Sequence, residues 1–107
     1  MKKYKVVFRK TASRDIEDIY WMIFGEFSDS RAAYKITQKI KAACSKLDIF
    51  PERGLKRDFL PAKYRTISIG RQFMIVYQIN DTTVEIKKIY YAGRDFEGDA
   101  PINIGSD

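Results

Sequence analysis

The side chains of this sequence that could do chemistry are cations and phenols. It holds no histidine and a single cysteine, Cys44, so the commonest general base is missing and no intrachain disulfide can form. With no clustered acidic loop either, neither a dedicated metal site nor a cofactor is expected. What remains is Arg65, Arg71 and Arg94, suited to an anionic partner, beside Glu52, Tyr77, Tyr90 and Tyr91. A phenol with an ordinary pKa near ~10 needs cationic neighbours before it can act as a base at neutral pH. Arg94 follows Gly93 after the last apolar run, where a loop can present it at the mouth of a sheet. Arg65 and Arg71 have a plainer use as strand-end cations that keep an edge soluble, and Glu52 has one as a loop salt-bridge partner.

The whole chain leans toward the same partners. Twenty Lys/Arg against 14 Asp/Glu leave a formal charge of +6 over 107 residues. Such a surface attracts nucleic acid, a ribosomal surface or an acidic protein segment. The length fits one domain, placed at residues 1–97, and the Gly-, Asp- and Asn-bearing stretch 98–107 is expected to be a flexible tail. Cys44 stands at helical spacing among apolar residues and reads as a core thiol, which fits a reducing cytosol. Val6-Val7-Phe8 is too short for a signal-peptide core, and no later stretch approaches a membrane span. A cytoplasmic protein is expected.

Positioning these residues falls to a small set of elements. Lys3 to Arg9 is β-branched and aromatic and predicts a strand. Thr11 or Ser13 can cap a helix whose start would gain from Asp15, Glu17 and Asp18 at its positive end. Ile16, Ile19, Tyr20, Ile23, Phe24 and Phe27 make its apolar stripe. Ser28 or Ser30 opens a second helix striped by Ala33, Ile36, Ile40, Ala43, Cys44 and Leu47, and Pro51 stops it. The short linker favours an antiparallel helical hairpin.

Beyond the basic loop from Pro51 to Pro61 the period changes to two. Arg65, Ile67, Ile69 and Arg71 share one face, and Tyr64, Thr66 and Ser68 the other. Phe73 to Ile79 is nearly all apolar, as a central strand covered on both sides would be. Asn80-Asp81 marks a hairpin, and Thr83 to Tyr91 is the last strand. Its apolar phase breaks after Ile86, which predicts a β-bulge at Lys87-Lys88. The expected fold is α+β: an N-terminal strand, a two-helix antiparallel hairpin and a three-stranded antiparallel meander.

Thr11-Ala12-Ser13-Arg14-Asp15-Ile16-Glu17-Asp18-Ile19-Tyr20, Phe50-Pro51-Glu52-Arg53-Gly54, Tyr64-Arg65 with Gly70-Arg71 and Ile75-Val76-Tyr77-Gln78-Ile79, and Gly93-Arg94-Asp95-Phe96 follow in an order that resembles the RelE/ParE toxins. The resemblance runs from about Lys3 to Glu97 and favours the ParE-like branch at its Arg-Asp ending. It implies the toxin of a type II toxin–antitoxin (plasmid stabilisation) system, neutralised by a co-expressed antitoxin in a hetero-oligomer. ParE-like members poison DNA gyrase. RelE-like members cut messenger RNA in the ribosomal A site.

In the RelE-like nucleases an arginine lies on the central strand three residues before a tyrosine that resembles Tyr77, and here that position is Met74. Methionine cannot neutralise a phosphate. Were the chain nevertheless a metal-independent endoribonuclease, the resemblance implies Arg65, Arg71, Tyr91, Arg94 and Glu52 as its catalytic set. The favoured expectation is a non-enzymatic toxin that binds gyrase through Arg65, Arg71 and Arg94. A plain protein-binding module is the third reading. Trp21, Met22 and Phe27 crowd the first helix beyond what one stripe can hide, so antitoxin is expected there or on a sheet edge.

Overall fold

A computed structural model describes residues 3–91 of the chain. The order is β1 (Lys5–Phe8), α1 (Lys10–Phe27), α2 (Ser30–Ser45), two 3-10 turns at Lys46–Asp48 and Pro51–Arg53, then β2 (Tyr64–Ile69), β3 (Phe73–Asn80) and β4 (Thr83–Tyr91). The sheet runs β1-β4-β3-β2, with the meander antiparallel and β1 parallel to β4. This is the expected α+β architecture with a mixed sheet. No helix among the described residues is long and apolar enough to cross a membrane.

Local starts differ from the sequence reading. α1 begins directly at Lys10, its preceding residue Arg9 extended and without a side-chain cap, so Thr11 and Ser13 lie inside the helix. The sheet supplies the anchor instead, as the Arg9 N–H donates to the Ile86 carbonyl at 3.0 Å. The first turn then carries no acidic residue, and Asp15 is released for another use. Ser28 closes α1 in the left-handed conformation, its N–H donating to the Phe24 carbonyl. The cap of α2 is Asp29, neither Ser28 nor Ser30: its carboxylate accepts the Arg31 N–H at 2.9 Å. That helix ends at Ser45 rather than at Pro51, which opens the second 3-10 turn after Phe50 at φ 52°. A proline at the first position of a turn loses nothing, because that N–H has no partner there.

The sheet is buried on both faces, as the apolar run of β3 demands. Toward the helices, Phe73, Ile75, Tyr77, Val84, Ile86 and Ile89 pack on Ala12, Ile16, Ile19, Ile40 and Leu47. On the other face Met74, Val76 and Tyr90 pack with Tyr64 and with Leu60 from the loop before β2. The bulge falls where the phase break placed it. Tyr77 pairs with Ile86 but Val76 pairs with Lys88, so Lys87 is the extra residue and Ile89 returns to the helix side.

Candidate functional site

Proline and glycine shape the turn that meets the end of β2. Tyr77 on β3 is fully buried and donates its hydroxyl to the Pro51 carbonyl at 2.5 Å. Gly54 lies against that phenol, and a Cβ there would overlap the Tyr77 Oη and crowd the Thr66 carbonyl at 3.0 Å. Only glycine fits this approach. Burial pushes the Tyr77 hydroxyl above its ordinary pKa, while the Gly54 backbone and the Arg65 and Arg53 guanidiniums pull it part of the way back.

Arg65 closes the same turn from β2. Its Nη1 donates to the Glu52 and Gly54 carbonyls, each at 3.1 Å. Glu52 turns its carboxylate outward and accepts the Tyr4 hydroxyl at 3.1 Å, a bond that raises the Tyr4 pKa more than burial or the carboxylate's charge does. Arg65 and Glu52 therefore form one group at the start of β2.

Arg71 and Tyr91 belong to the opposite end. Arg71 sits exposed in the turn after Gly70, off the strand face that its spacing predicted, while Tyr91 pairs with Phe73 and packs on its ring at 5.4 Å. The two ends of β2 stand about 17 Å apart at roughly 3.3 Å per residue. One phosphodiester cannot touch both groups. The five-residue nuclease set is thus split into two pairs, and Arg94 lies outside the described residues. Met74 is 2% exposed within the cluster of Tyr64, Val76, Tyr90 and Leu60.

The helix surface has a separate feature. Trp21, Phe24 and Phe27 succeed one another at i, i+3 and i+6 on α1, with Trp21 58% and Phe27 60% exposed, and Trp21 packs edge-on against both Tyr20 and Phe24. Met22, 40% exposed, faces the other way and lines a hollow with Asp18, Lys88 and Tyr91. Trp21 and Phe27 share a surface; Met22 borders a different one. Phe24, 37% exposed, completes the aromatic row, so Phe24 and Phe27 both leave the buried stripe in which their spacing placed them.

Asp15 was missed as well. Its Oδ1 accepts from Lys88 Nζ and its Oδ2 from the Ile89 N–H, both at 2.9 Å. A carboxylate in a helix's early turns reads as a dipole partner, and nothing local marks a strand 74 residues away as its target.

The family described as ParE toxin of type II toxin-antitoxin system, parDE, matches residues 6–96. No curated protein matches. Among solved structures, the chromosomal ParDE toxin–antitoxin system from P. aeruginosa has a chain similar to this one at TM-score 0.72 and 18% identity, covering 85% of this chain and 98% of that one. The toxin–antitoxin complex RelBE2 from Mycobacterium tuberculosis is similar at TM-score 0.57 and 25% identity, over 85% of this chain and 93% of that one. A conserved hypothetical protein of Helicobacter pylori, solved in solution, is similar at TM-score 0.52 and 17% identity, over 84% and 96%. Matched along most of its length from β1 past β4, the chain belongs to the ParE toxin family of type II toxin–antitoxin systems.

Proposed function

We propose that this toxin arrests growth in the cytoplasm by binding and poisoning DNA gyrase, without cutting RNA, and that a cognate antitoxin neutralises it. The observation that carries the non-nuclease reading is Met74. The position that resembles the nuclease arginine is filled by a methionine 2% exposed, packed with Leu60, Tyr64, Val76 and Tyr90, none of which carries a carboxylate for a guanidinium. Loss of one preorganised charge-stabilising donor costs ~10²–10³ in rate. The separation of Arg65 and Glu52 from Arg71 and Tyr91 points the same way.

Of the two proposed target-binding cations among the described residues, Arg71 is the exposed one, in the β2–β3 turn, and Arg65 is half-buried. Arg65 acts mainly by holding the Glu52–Gly54 turn in shape. Arg94 completes the set. The antitoxin is assigned to the aromatic row of Trp21 and Phe27, and Met22, on a different surface, falls outside it; large exposed aromatics on a small domain are typical anchors.

The test sets two assays side by side on purified toxin: cleavage of a defined messenger on ribosomes, and supercoiling by gyrase. Blocked supercoiling with intact messenger is expected, weakened by Arg71→Ala and Arg94→Ala. Codon-linked cuts with untouched supercoiling would replace this reading with a ribosome-dependent mRNA interferase.

A further inference from the structure

A hollow of about 580 Å³ opens between α1 and α2, beside the end of β1. Its cause is local: Ser13 on α1 and Thr37 on α2 are short side chains that leave the space between the helices unfilled. The floor is apolar, from Phe8 of β1 and from Ile16 and Tyr20 of α1. Thr37 brings no free donor, because its hydroxyl is already engaged by the Ala33 and Tyr34 carbonyls, each at 3.0 Å.

Charges of opposite sign line this hollow from opposite helices. Glu17 stands on α1 and Lys41 on α2, both exposed, and neither has an ion pair with the other or with any other described residue. The Ser13 hydroxyl beside them has no partner among the described residues either. Facing charges that do not meet leave room for a ligand that carries both. The volume falls within the ~300–1,000 Å³ of small-molecule sites, and an apolar floor with a few polar groups is their usual lining.

We infer that this hollow binds a small apolar zwitterion of dipeptide size, its ammonium on Glu17, its carboxylate on Lys41 and Ser13, and its side chains on Phe8, Ile16 and Tyr20. A single amino acid carries both charges on one carbon, too close together to reach two helices whose axes lie ~8–10 Å apart. One further residue adds ~3.8 Å between Cα atoms and spreads the charges toward opposite walls. A nucleic acid or an acidic segment would meet the Glu17 carboxylate, and a basic segment would meet Lys41. The site stands independently of the gyrase and antitoxin readings. It adjoins the aromatic row only through Tyr20, whose ring meets Trp21 edge-on at 5.1 Å.

Trp21 is the chain's single tryptophan, so its fluorescence reports what enters beside Tyr20. The probe is leucyl-leucine, titrated into the full purified toxin beside N-acetyl-leucyl-leucine amide, which lacks both charges, and glycylglycine, which lacks the apolar groups. Leucyl-leucine is expected to bind with a Kd on the order of 0.1–1 mM, and both controls about tenfold more weakly or worse. Glu17→Lys and Lys41→Glu should each cost about tenfold, and the two together should restore binding, since a symmetric dipeptide can lie in either direction. Ser13→Leu, which fills the hollow, should abolish it. Absence of leucyl-leucine binding, equal binding of the blocked peptide, or indifference to both charge reversals would overturn the inference. Two other occupants would overturn it as well. One is an antitoxin whose pulldown fails on Ser13→Leu while leucyl-leucine does not bind. The other is a second copy of the chain, seen as concentration-dependent sedimentation that the same variant abolishes.

Discussion

Asp15 and Ile89 meet where β1 has already ended. β1 pairs with β4 only as far as Ile86, so β4 continues past it with no strand on that side among the described residues, and α1 lays the Asp15 carboxylate on the Ile89 N–H at 2.9 Å. The same carboxylate holds Lys88 at 2.9 Å, beside the bulge that shifts β4 by one residue. Helix, bulge and strand edge are thus joined by one side chain, whose exposure is only 13%.

Asp15→Ala should therefore destabilise the fold by about 1–3 kcal/mol, because it leaves a buried N–H and an ammonium without their acceptor. Asp15→Asn can still accept the N–H and should fall between. Urea unfolding of both variants, with Lys88→Ala to complete a double-mutant cycle, measures the coupling. A coupling near zero would mean the pair is only adjacent.

Gly54 and Tyr77 are coupled by space rather than charge. Gly54→Ala forces a methyl onto the Tyr77 hydroxyl and should cost about 1–3 kcal/mol, a fall in Tm of roughly 4–8 °C for each. Tyr77→Phe alone loses the bond to Pro51 and should cost about 1 kcal/mol. Combined, the two should cost less than their sum, since removing the hydroxyl makes room for the methyl. Strict additivity would place the crowding elsewhere, at the Thr66 carbonyl.

The parts of this molecule written in local periodicity could be read from the chain, and those that depend on distant pairing could not. The phase break between Ile86 and Ile89 was enough to place a bulge, because side-chain alternation has a period of two. Met74 and Val76, alternating with Ile75 and Tyr77, announced a strand covered on both faces. By contrast, Asp15, Glu17 and Asp18 carry the local signature of a helix start, which a backbone bond from Arg9 to β4 displaced. Arg65 and Arg71 looked like neighbours on one strand face. The turn at Gly70 ended the strand between them, and the carbonyls of the Pro51 turn captured Arg65.

Alkaline pH should weaken the fold through its buried acids. Burial pushes the Cys44 thiol from 9.0 up to about 12, so the folded chain keeps a proton that the unfolded chain releases. With fewer protons bound in the unfolded state, stability is complete below pH 9 and falls as pH rises from there toward 12, by up to about 1.4 kcal/mol per unit. Tyr77, also raised by burial, adds a loss of the same sign above its ordinary value of 10.0. Urea midpoints of wild type and Cys44→Ala between pH 7 and 10 separate them: the variant should lose the slope that begins near 9. An unchanged slope would assign the loss to other groups.

Met74→Arg restores the residue type that the nuclease branch carries and puts the non-nuclease reading to its hardest test. Tyr64, Val76, Tyr90 and Leu60 surround the site, and none offers a carboxylate. An uncompensated cation there should cost about 3–5 kcal/mol, whereas Met74→Leu, of similar volume, should cost under ~1.5 kcal/mol. Thermal unfolding ranks the two, and ribosome-dependent messenger cleavage is assayed on the same preparations. A cluster that rejects the arginine is one built for packing, on a face where the phosphate would have to lie. If Met74→Arg instead folds within ~1 kcal/mol of wild type and acquires cleavage, the face is a nuclease site lacking one residue, and Arg65 and Glu52 return as candidates for its chemistry.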